Sequence, residues 1–311
     1  MSNLTLTTAI GNYGYTETLK DETIKPEHFS FDHVEISPVP MIFRRMVRNL
    51  EFDVAEMALS TYICAKYYEK QFTALPIFLT RSFYHGAIVC NKSANISKPT
   101  DLSGKRVGVR SYTLTPGVWT RALLQTEYGL DLDTVTWVLS GDEHVEEYTA
   151  PDNVISSDRN DLAEMLTSGE VDAVIGAGQI DSDEVIPLFT NAYELDTNWF
   201  AKTNIYPISH LLVVKDQVLR ENPWLESEIF NIFTAAKDVY LKEMSSTQKP
   251  DAQDELQLNM SKIVNGDPIP YGFEGDRSGL EAFVKFNVDQ SIIPEYISPE
   301  KLFEMPCTMI K

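Results

Sequence analysis

Two histidines lie beside or within apolar stretches, and histidine is the side chain best suited to moving a proton near neutral pH. His85 comes directly before GAIVCN (86–91), and His210 lies inside YPISHLLVVKD (206–216). Both stretches are typical of strands, and we expect each to carry the chain between two lobes, so both imidazoles could face a ligand. The alternative is that each is a structural histidine with satisfied hydrogen bonds. His85 and His210 are therefore candidate catalytic residues.

A third candidate catalytic residue is Glu56, in FDVAEMAL (52–59). Alternation along a strand places it on the same face as Val54 and Ala58. Its carboxylate is therefore either at the surface of an edge strand or a buried acid with a raised pKa. The sequence leaves both alternatives open.

Arginines provide candidate anion-binding groups. Arg81 lies in TRSFYHGAIV (80–89), ahead of an apolar strand, where a guanidinium is poor material for a core. Its fork of N–H donors suits a carboxylate. Arg44, Arg45 and Arg48 lie on a predicted helix. That cluster is either solvated or turns one arginine, taken as Arg45, toward the ligand.

Polar residues also follow three predicted strands, each near the point where a helix begins. A helix start has free backbone N–H groups and the positive end of the helix dipole, so it favours an anion. The alternative is that these side chains only cap helices. The candidate binding residues are Asn12 and Tyr13 after the first strand, Ser60 and Thr61 at a second junction, and Tyr112, Thr113 and Thr115 at a third.

The elements that must position these residues predict an α/β fold with two lobes, because short apolar β-type runs alternate with helical patterns. Thr115 is predicted to cap the helix that follows the strand at 105–109, with Pro116 at the first helical position. We predict lobe I from residues 1–100 and 208–311, and an inserted lobe II from residues 101–207. A ligand cleft is expected between the lobes, outside the carboxyl ends of the strands.

Composition and motifs exclude several classes of function. The chain has 26 Lys and Arg against 46 Asp and Glu, so it has no surplus of cations for a nucleic-acid backbone. Cys64, Cys90 and Cys307 are far apart, and neither a zinc site nor a disulfide framework is predicted. The chain lacks a Walker loop, GxGxxG, HExxH and GxSxG, which leaves phosphoryl transfer, dinucleotide binding and serine hydrolysis without support.

The sequence also predicts where the protein works. No apolar run approaches the length of a membrane span, and the N-terminus does not have the pattern of a secretory signal. We therefore expect a cytoplasmic protein with a small-molecule partner and without a nucleic-acid or membrane partner. A homo-oligomer is compatible with the sequence.

Longer segments resemble a known family. LSGKRVGV and MLTSGEVDAVIG are typical of the type II periplasmic-binding-protein fold. More specific are FRRMVRNLEFDVAEMALSTY, ALPIFLTRSFYH, YTLTPGVWTRALL, YPISHLLVV with NPWL, and PYGFEGDR. Together they resemble the 4,5-dihydroxyphthalate decarboxylase family, a cytoplasmic enzymatic branch of that fold, from about residue 4 to the end.

The resemblance implies non-oxidative loss of CO2 from 4,5-dihydroxyphthalate to give 3,4-dihydroxybenzoate, without an organic cofactor. We assign no metal ligands. Such a reaction needs a gripped carboxylate and a proton delivered to the ring carbon that carries it. His85 or His210 would donate the proton, with Glu56 either polarising a ring hydroxyl or tuning a histidine. The side chains implied to hold carboxylates are Arg81, Ser60, Thr61 and Thr115.

Two positions depart from the family pattern. Ser111 stands where an acidic residue is expected before the tyrosine of the inserted lobe's first loop, and Tyr84 stands where the family often has a basic residue. The substrate is therefore 4,5-dihydroxyphthalate or another hydroxylated aromatic acid. The competing hypothesis is a non-catalytic protein of the same fold that binds a solute or a thiamine precursor.

Overall fold

A computed structural model of the chain describes residues 4–305. The strands, in chain order, are β1 (Leu4–Ala9), β2 (Phe29–His33), β3 (Val54–Ala58), β4 (Phe72–Arg81), β5 (Ile88–Asn91), β6 (Arg106–Val109), β7 (Thr136–Leu139), β8 (Val154–Ser156), β9 (Ala173–Ile175), β10 (Val185–Pro187) and β11 (Ile208–Lys215). The helices are α1 (Gly14–Lys20), α2 (Pro40–Asn49), α3 (Leu59–Tyr67), α4 (Thr115–Thr126), α5 (Leu162–Thr167), α6 (Ala192–Thr203), α7 (Asp216–Glu221), α8 (Leu225–Ser246), α9 (Ala252–Val264), α10 (Arg277–Asp289) and α11 (Pro299–Leu302).

The chain forms two units. Of the described residues, the first contains 4–82, 208–280 and 297–305, and the second contains 83–207 and 281–296. Residues 83–100 and 281–296 thus group with the second unit, whereas the sequence assigned them to lobe I. Strand β5 lies in the sheet of the second unit, so the boundary falls at 82/83 rather than after residue 100. The boundary at 280/281 falls inside α10.

The first unit is built on a five-stranded sheet in the order β2-β1-β3-β11-β4. Strands β1, β2 and β3 run parallel, and β11 inserts antiparallel between β3 and β4. All five residues of β3 are buried, and the strand has a neighbour on each side. Its residues therefore belong to the centre of the sheet, and that is where Glu56 is placed.

The core of this unit lies between the sheet and long helix α8. Apolar residues of the strands, including Leu6, Val54 and Leu212, pack with Phe233 and other residues of α8 in one buried cluster. Alternation along the strands and helical spacing along α8 produce complementary apolar surfaces, which is the usual basis of an α/β layer. The predicted strands within 52–59 and 206–216 are confirmed as β3 and β11.

The second unit is built on a six-stranded sheet in the order β10-β5-β9-β6-β7-β8. Strands β9, β6, β7 and β8 run parallel, while β5 pairs antiparallel with both β9 and β10. Helix α4 follows β6 and begins at Thr115, with Leu114 as the N-cap residue and proline in its first turn. The prediction that Thr115 is the N-cap was wrong by one residue, because Leu114 has the extended backbone of a cap.

Other predictions have simple outcomes. Within residues 4–305, no helix combines the length and the apolar character needed to cross a membrane. Cys64 and Cys90 are buried free thiols, and Cys307 lies outside the described residues. Helix α1, strand β2 and helix α6 were not anticipated from the sequence.

Candidate active site

Glu56 is buried at the centre of the first sheet, so the alternative of an exposed acid on an edge strand was wrong. Its Oε1 accepts a hydrogen bond from the Tyr13 hydroxyl at 2.7 Å and contacts Nδ1 of His210 at 2.6 Å. Its Oε2 accepts the backbone N–H of Gly11 at 2.7 Å. Three donors therefore compensate a carboxylate that has no contact with water.

His210 reaches Glu56 because β11 runs antiparallel beside β3. In this pairing His210 lies opposite Ala58. Register shifts on either side of His210, in the pairing with β4, break the regular ladder at this residue. A carboxylate accepts hydrogen bonds only, so Nδ1 carries a hydrogen and Nε2 is the ring atom left for other chemistry. The edge of the ring packs on Phe43, at 4.9 Å between centroids, and 21% of the side chain remains exposed.

Tyr13 completes this group from the start of α1. Its ring stacks on Tyr15, with centroids 5.1 Å apart, and lies against Gly11, where a Cβ atom would come within 2.7 Å of the phenol ring. Glycine at position 11 is therefore required by the close approach of this ring. Burial, and then the charge of Glu56, raise the pKa of the Tyr13 phenol well above its usual range, so the hydroxyl stays protonated and donates.

Other predicted residues of the first unit lie at different places. Ser60 and Thr61 are fully buried in the first turn of α3, directly after β3, as the junction pattern predicted. Asn12 lies at the surface and bonds Lys20 and Glu35.

The two arginines proposed to bind anions both contact carboxylates of this chain. Arg81 makes a bidentate ion pair with Asp276, at 2.8 Å and 2.6 Å, and also donates to the carbonyl of Pro270. Its side chain is almost fully buried. Arg45 pairs with Glu51, with its guanidinium over the ring of Phe52. Arg81 and Arg45, the arginines predicted to bind a ligand, are therefore each paired with a carboxylate of this chain.

His85 belongs to the second unit, in the short turn His85–Ala87 before β5. Its Nδ1 contacts Oδ1 of Asp196 in α6 at 2.6 Å, and the ring meets Phe189 and Tyr128 edge-on. Only 2% of the side chain is exposed. The sequence singled out this histidine but not its partner, because Asp196 lies in a segment with no distinguishing pattern.

The loop before α4 holds a carboxylate that the sequence did not reveal. Glu143 accepts the backbone N–H of Tyr112 at 2.5 Å, and both the N–H and the hydroxyl of Thr113, at 3.2 and 2.5 Å. Burial raises the pKa of Glu143 even though these donors oppose the shift. Tyr112 and Thr113 therefore already hold a carboxylate of this chain, and the binding of a ligand anion at this junction stays a prediction. Thr115, in the first turn of α4, is fully buried.

The two positions that depart from the family pattern are also in the second unit. Ser111 is fully buried beside this loop, and Tyr84 is buried with its ring parallel to that of Trp119. No group of three or more His, Cys, Asp or Glu side chains between residues 4 and 305 is arranged to hold a metal ion. Of the predicted catalytic residues, the structure thus brings Glu56 and His210 into contact, together with Tyr13.

The chain is similar both to curated proteins of known activity and to solved structures. The 4,5-dihydroxyphthalate decarboxylase of Comamonas testosteroni is 28% identical over an alignment 323 residues long, gaps included. The alignment covers 97% of this chain and 97% of the relative. A protein of the same name from Pseudomonas putida is 34% identical over 186 residues, which cover 57% of this chain and 71% of the relative. No family model matches the chain.

Among solved structures, the chain is similar to the periplasmic sulfonate-binding protein SsuA from Methylobacillus flagellatus KT. The TM-score is 0.57 at 11% identity, and the match covers 98% of this chain and 92% of that one. At this identity the likeness concerns the fold alone. It confirms the predicted α/β, two-lobed fold of the periplasmic-binding-protein type.

Proposed function

The chain belongs to the 4,5-dihydroxyphthalate decarboxylase family and is a carbon–carbon lyase, and we propose that it removes CO2 from 4,5-dihydroxyphthalate or a close hydroxylated analogue. The product from 4,5-dihydroxyphthalate would be 3,4-dihydroxybenzoate. The observation that carries the mechanism is the contact between buried Glu56 and Nδ1 of a partly exposed His210.

The proposed step exchanges one proton for one CO2. Protonated His210 donates from Nε2 to the ring carbon that bears the departing carboxylate, and the new C–H bond takes its electron pair from the ring. The hydroxyl para to that carbon stabilises the resulting cation. The C–CO2 bond then breaks, its electron pair restores the aromatic ring, and CO2 leaves. His210 takes a proton from solvent before the next turnover.

Glu56 supports this step through charge and orientation. Its carboxylate contacts the ring nitrogen opposite the one proposed to donate, so it stabilises the imidazolium and fixes which nitrogen holds the transferable proton. The full burial of the carboxylate strengthens this interaction because water does not screen it. Of the two predicted roles for Glu56, tuning a histidine is the one that this contact favours.

The remaining predictions enter the proposal as binding roles. Ser60 and Thr61, buried at the start of α3, are proposed to bind a substrate carboxylate, and Thr115 keeps its predicted binding role. A substrate carboxylate would reach the donors of Tyr112 and Thr113 only by displacing Glu143. Arg81 already pairs with Asp276, so we propose it as support for its own unit rather than as a carboxylate clamp. A cytoplasmic location and a homo-oligomer stay predictions.

The test is turnover in heavy water. Purified protein incubated with 4,5-dihydroxyphthalate should release CO2 and 3,4-dihydroxybenzoate in equal amounts. In D2O the product should carry one deuterium at the ring position that the carboxylate left, because the proton comes from an exchangeable imidazole.

A panel of hydroxybenzoates and phthalates, run in parallel, identifies the preferred substrate, which Ser111 and Tyr84 leave open. Tight binding across this panel without release of CO2 would overturn the proposal and leave a binding protein of the same fold.

A further inference from the structure

We propose that Tyr13 is a positioning residue, which sets how strongly Glu56 holds the proton on His210, and not a substrate-binding residue. This inference rests on the proposed function, since it concerns the same acid. The sequence offered Tyr13 only as a polar residue at a helix start. Its actual neighbours assign it a different role.

The central observation is that one oxygen serves two donors. Oε1 of Glu56 accepts the Tyr13 hydroxyl at 2.7 Å and contacts Nδ1 of His210 at 2.6 Å. Charge on this oxygen that interacts with the phenol is less available to the imidazolium. The phenol should therefore weaken the hold of Glu56 on the His210 proton and make that proton easier to give away.

The surroundings fix Tyr13 in this position. Its backbone N–H donates to the Thr16 hydroxyl at 3.1 Å at the start of α1, and its ring is held between Tyr15 and the bare backbone of Gly11. Burial is the main cause of the raised pKa of the Tyr13 hydroxyl. The phenol therefore keeps its proton and donates to Glu56.

Other titratable groups near Glu56 do not compete for this role. Tyr15 and Tyr271 both feel the charge of Glu56, but burial raises the pKa of each phenol well above its usual range, so both are neutral. The Tyr15 hydroxyl donates to the carbonyl of Leu79 at 2.5 Å instead. Arg81, near Tyr271, is neutralised by Asp276. Tyr13 and His210 are thus the side chains that share the carboxylate.

The test compares Tyr13→Phe with a matched control, Tyr15→Phe. Both changes remove one buried hydroxyl from the same stacked pair, but only the first hydroxyl contacts Glu56. The measurement is the titration of histidine ring resonances in protein labelled with ¹⁵N-histidine, without substrate. The His210 signals are identified by their loss in His210→Gln.

In Tyr13→Phe we expect the titration midpoint of the His210 ring to rise by about one pH unit, or tenfold in proton affinity, because the full charge of Oε1 then faces the imidazolium. The midpoint in Tyr15→Phe should stay within about 0.3 units of the parent. The midpoint on the alkaline side of the kcat/KM profile, where the free enzyme loses the His210 proton, should follow the ring in both variants.

An unmoved His210 midpoint in Tyr13→Phe overturns the inference, as does an equal shift in Tyr15→Phe. A rise in KM for Tyr13→Phe without a shifted midpoint would return Tyr13 to the substrate-binding role. The ring titration needs no turnover, so its outcome is separate from that of the proposed function. If the ring titrates as expected but His210→Gln still turns over, the decarboxylation mechanism fails and this inference stands.

Discussion

The two units each contain a histidine whose Nδ1 lies 2.6 Å from a carboxylate, and the two pairs differ in what surrounds them. In the first unit, His210 keeps 21% of its side chain exposed while its partner Glu56 is fully buried. In the second unit, His85 is 2% exposed, and aromatic rings meet its imidazole edge-on. One ring can meet a ligand, and the other is enclosed.

A histidine–carboxylate contact is therefore not in itself a sign of catalysis. Asp196 accepts both the ring Nδ1 and the backbone N–H of His85, so this pair ties the turn before β5 to helix α6. Glu56 is instead held by Gly11 and Tyr13, which come from the loop after β1. We infer that the first pair moves protons and that the second holds its unit together.

The largest expected effect is on turnover. His210→Gln should lower kcat by about 10²–10⁴-fold, the range for loss of a general acid, with the melting temperature little changed. His85→Gln should lower kcat less than tenfold, or about 1.4 kcal/mol of barrier, and should destabilise the protein. Initial rates of CO2 release and thermal unfolding measure both variants.

A third histidine provides the control for these two. His28 contacts Glu228 at 3.1 Å through Nδ1, but 63% of its side chain is exposed. His28→Gln should change neither the rate nor the stability appreciably. Comparable losses of kcat in His85→Gln and His210→Gln would break the distinction between the two pairs.

The next effect concerns Arg81 in the first unit. Arg81→Met would leave Asp276 as a largely buried carboxylate without its bidentate partner, at a cost of about 3–5 kcal/mol in the free energy of unfolding. Urea unfolding measures this loss. A stable Arg81→Met protein with a strongly raised KM would instead show that Arg81 holds the substrate carboxylate, as the sequence suggested.

The double variant Arg81→Met/Asp276→Leu is the matched control, since it removes both charges of the buried pair. It should recover much of the stability lost in Arg81→Met, because replacing a buried ion pair by apolar groups is often neutral. If the double variant is as unstable as the single one, the ion pair is not the reason for the loss.

A smaller effect is expected for the enclosed pair. Asp196→Asn removes the charge that faces His85 and weakens two hydrogen bonds, so we expect a loss of about 1–3 kcal/mol in the free energy of unfolding. Glu228→Gln, which removes the charge facing the exposed His28, should cost less than about 1 kcal/mol. Equal effects in the two variants would mean that burial does not distinguish these pairs.

The sequence predicted the strands that carry the candidate site better than it predicted which strands and side chains contact one another. Alternation located β3 and an apolar stretch located β11, but no local pattern says that β11 inserts beside β3. That pairing, between segments about 150 residues apart, makes β3 central and decides that Glu56 is buried. The contact between Glu56 and His210 therefore could not be derived from spacing, although both residues were chosen for their chemistry.

The partners in the second unit were hidden for a different reason. The chain has 46 acidic residues, so an Asp or Glu in a polar segment carries little information. Glu143 and Asp196 become distinctive only when the fold buries them against backbone N–H groups or an imidazole. The helix-start pattern did predict donors at Tyr112 and Thr113, and the group that accepts their hydrogen bonds is the carboxylate of Glu143.

The smallest expected effect comes from Glu143 and depends on pH. Burial raises the folded-state pKa of this carboxyl above its usual value of 4.5, so the folded protein holds the proton more tightly than the unfolded chain does. Its contribution to stability is therefore fully present below that value and is lost as the pH rises through the raised pKa. Glu143→Gln removes this titration, so the stability of the parent relative to the variant should fall as the pH rises above about 4.5.

Melting temperatures of both proteins across this pH range measure the difference. His85 and Asp196 are unchanged in the variant, so a shift in relative stability belongs to Glu143. A parent protein that instead gains stability over the variant as the pH rises would show that the three donors of Tyr112 and Thr113 outweigh burial. The loop would then be a strong carboxylate site held closed by its own glutamate, and the second unit would contribute more to substrate binding than its enclosed histidine suggests.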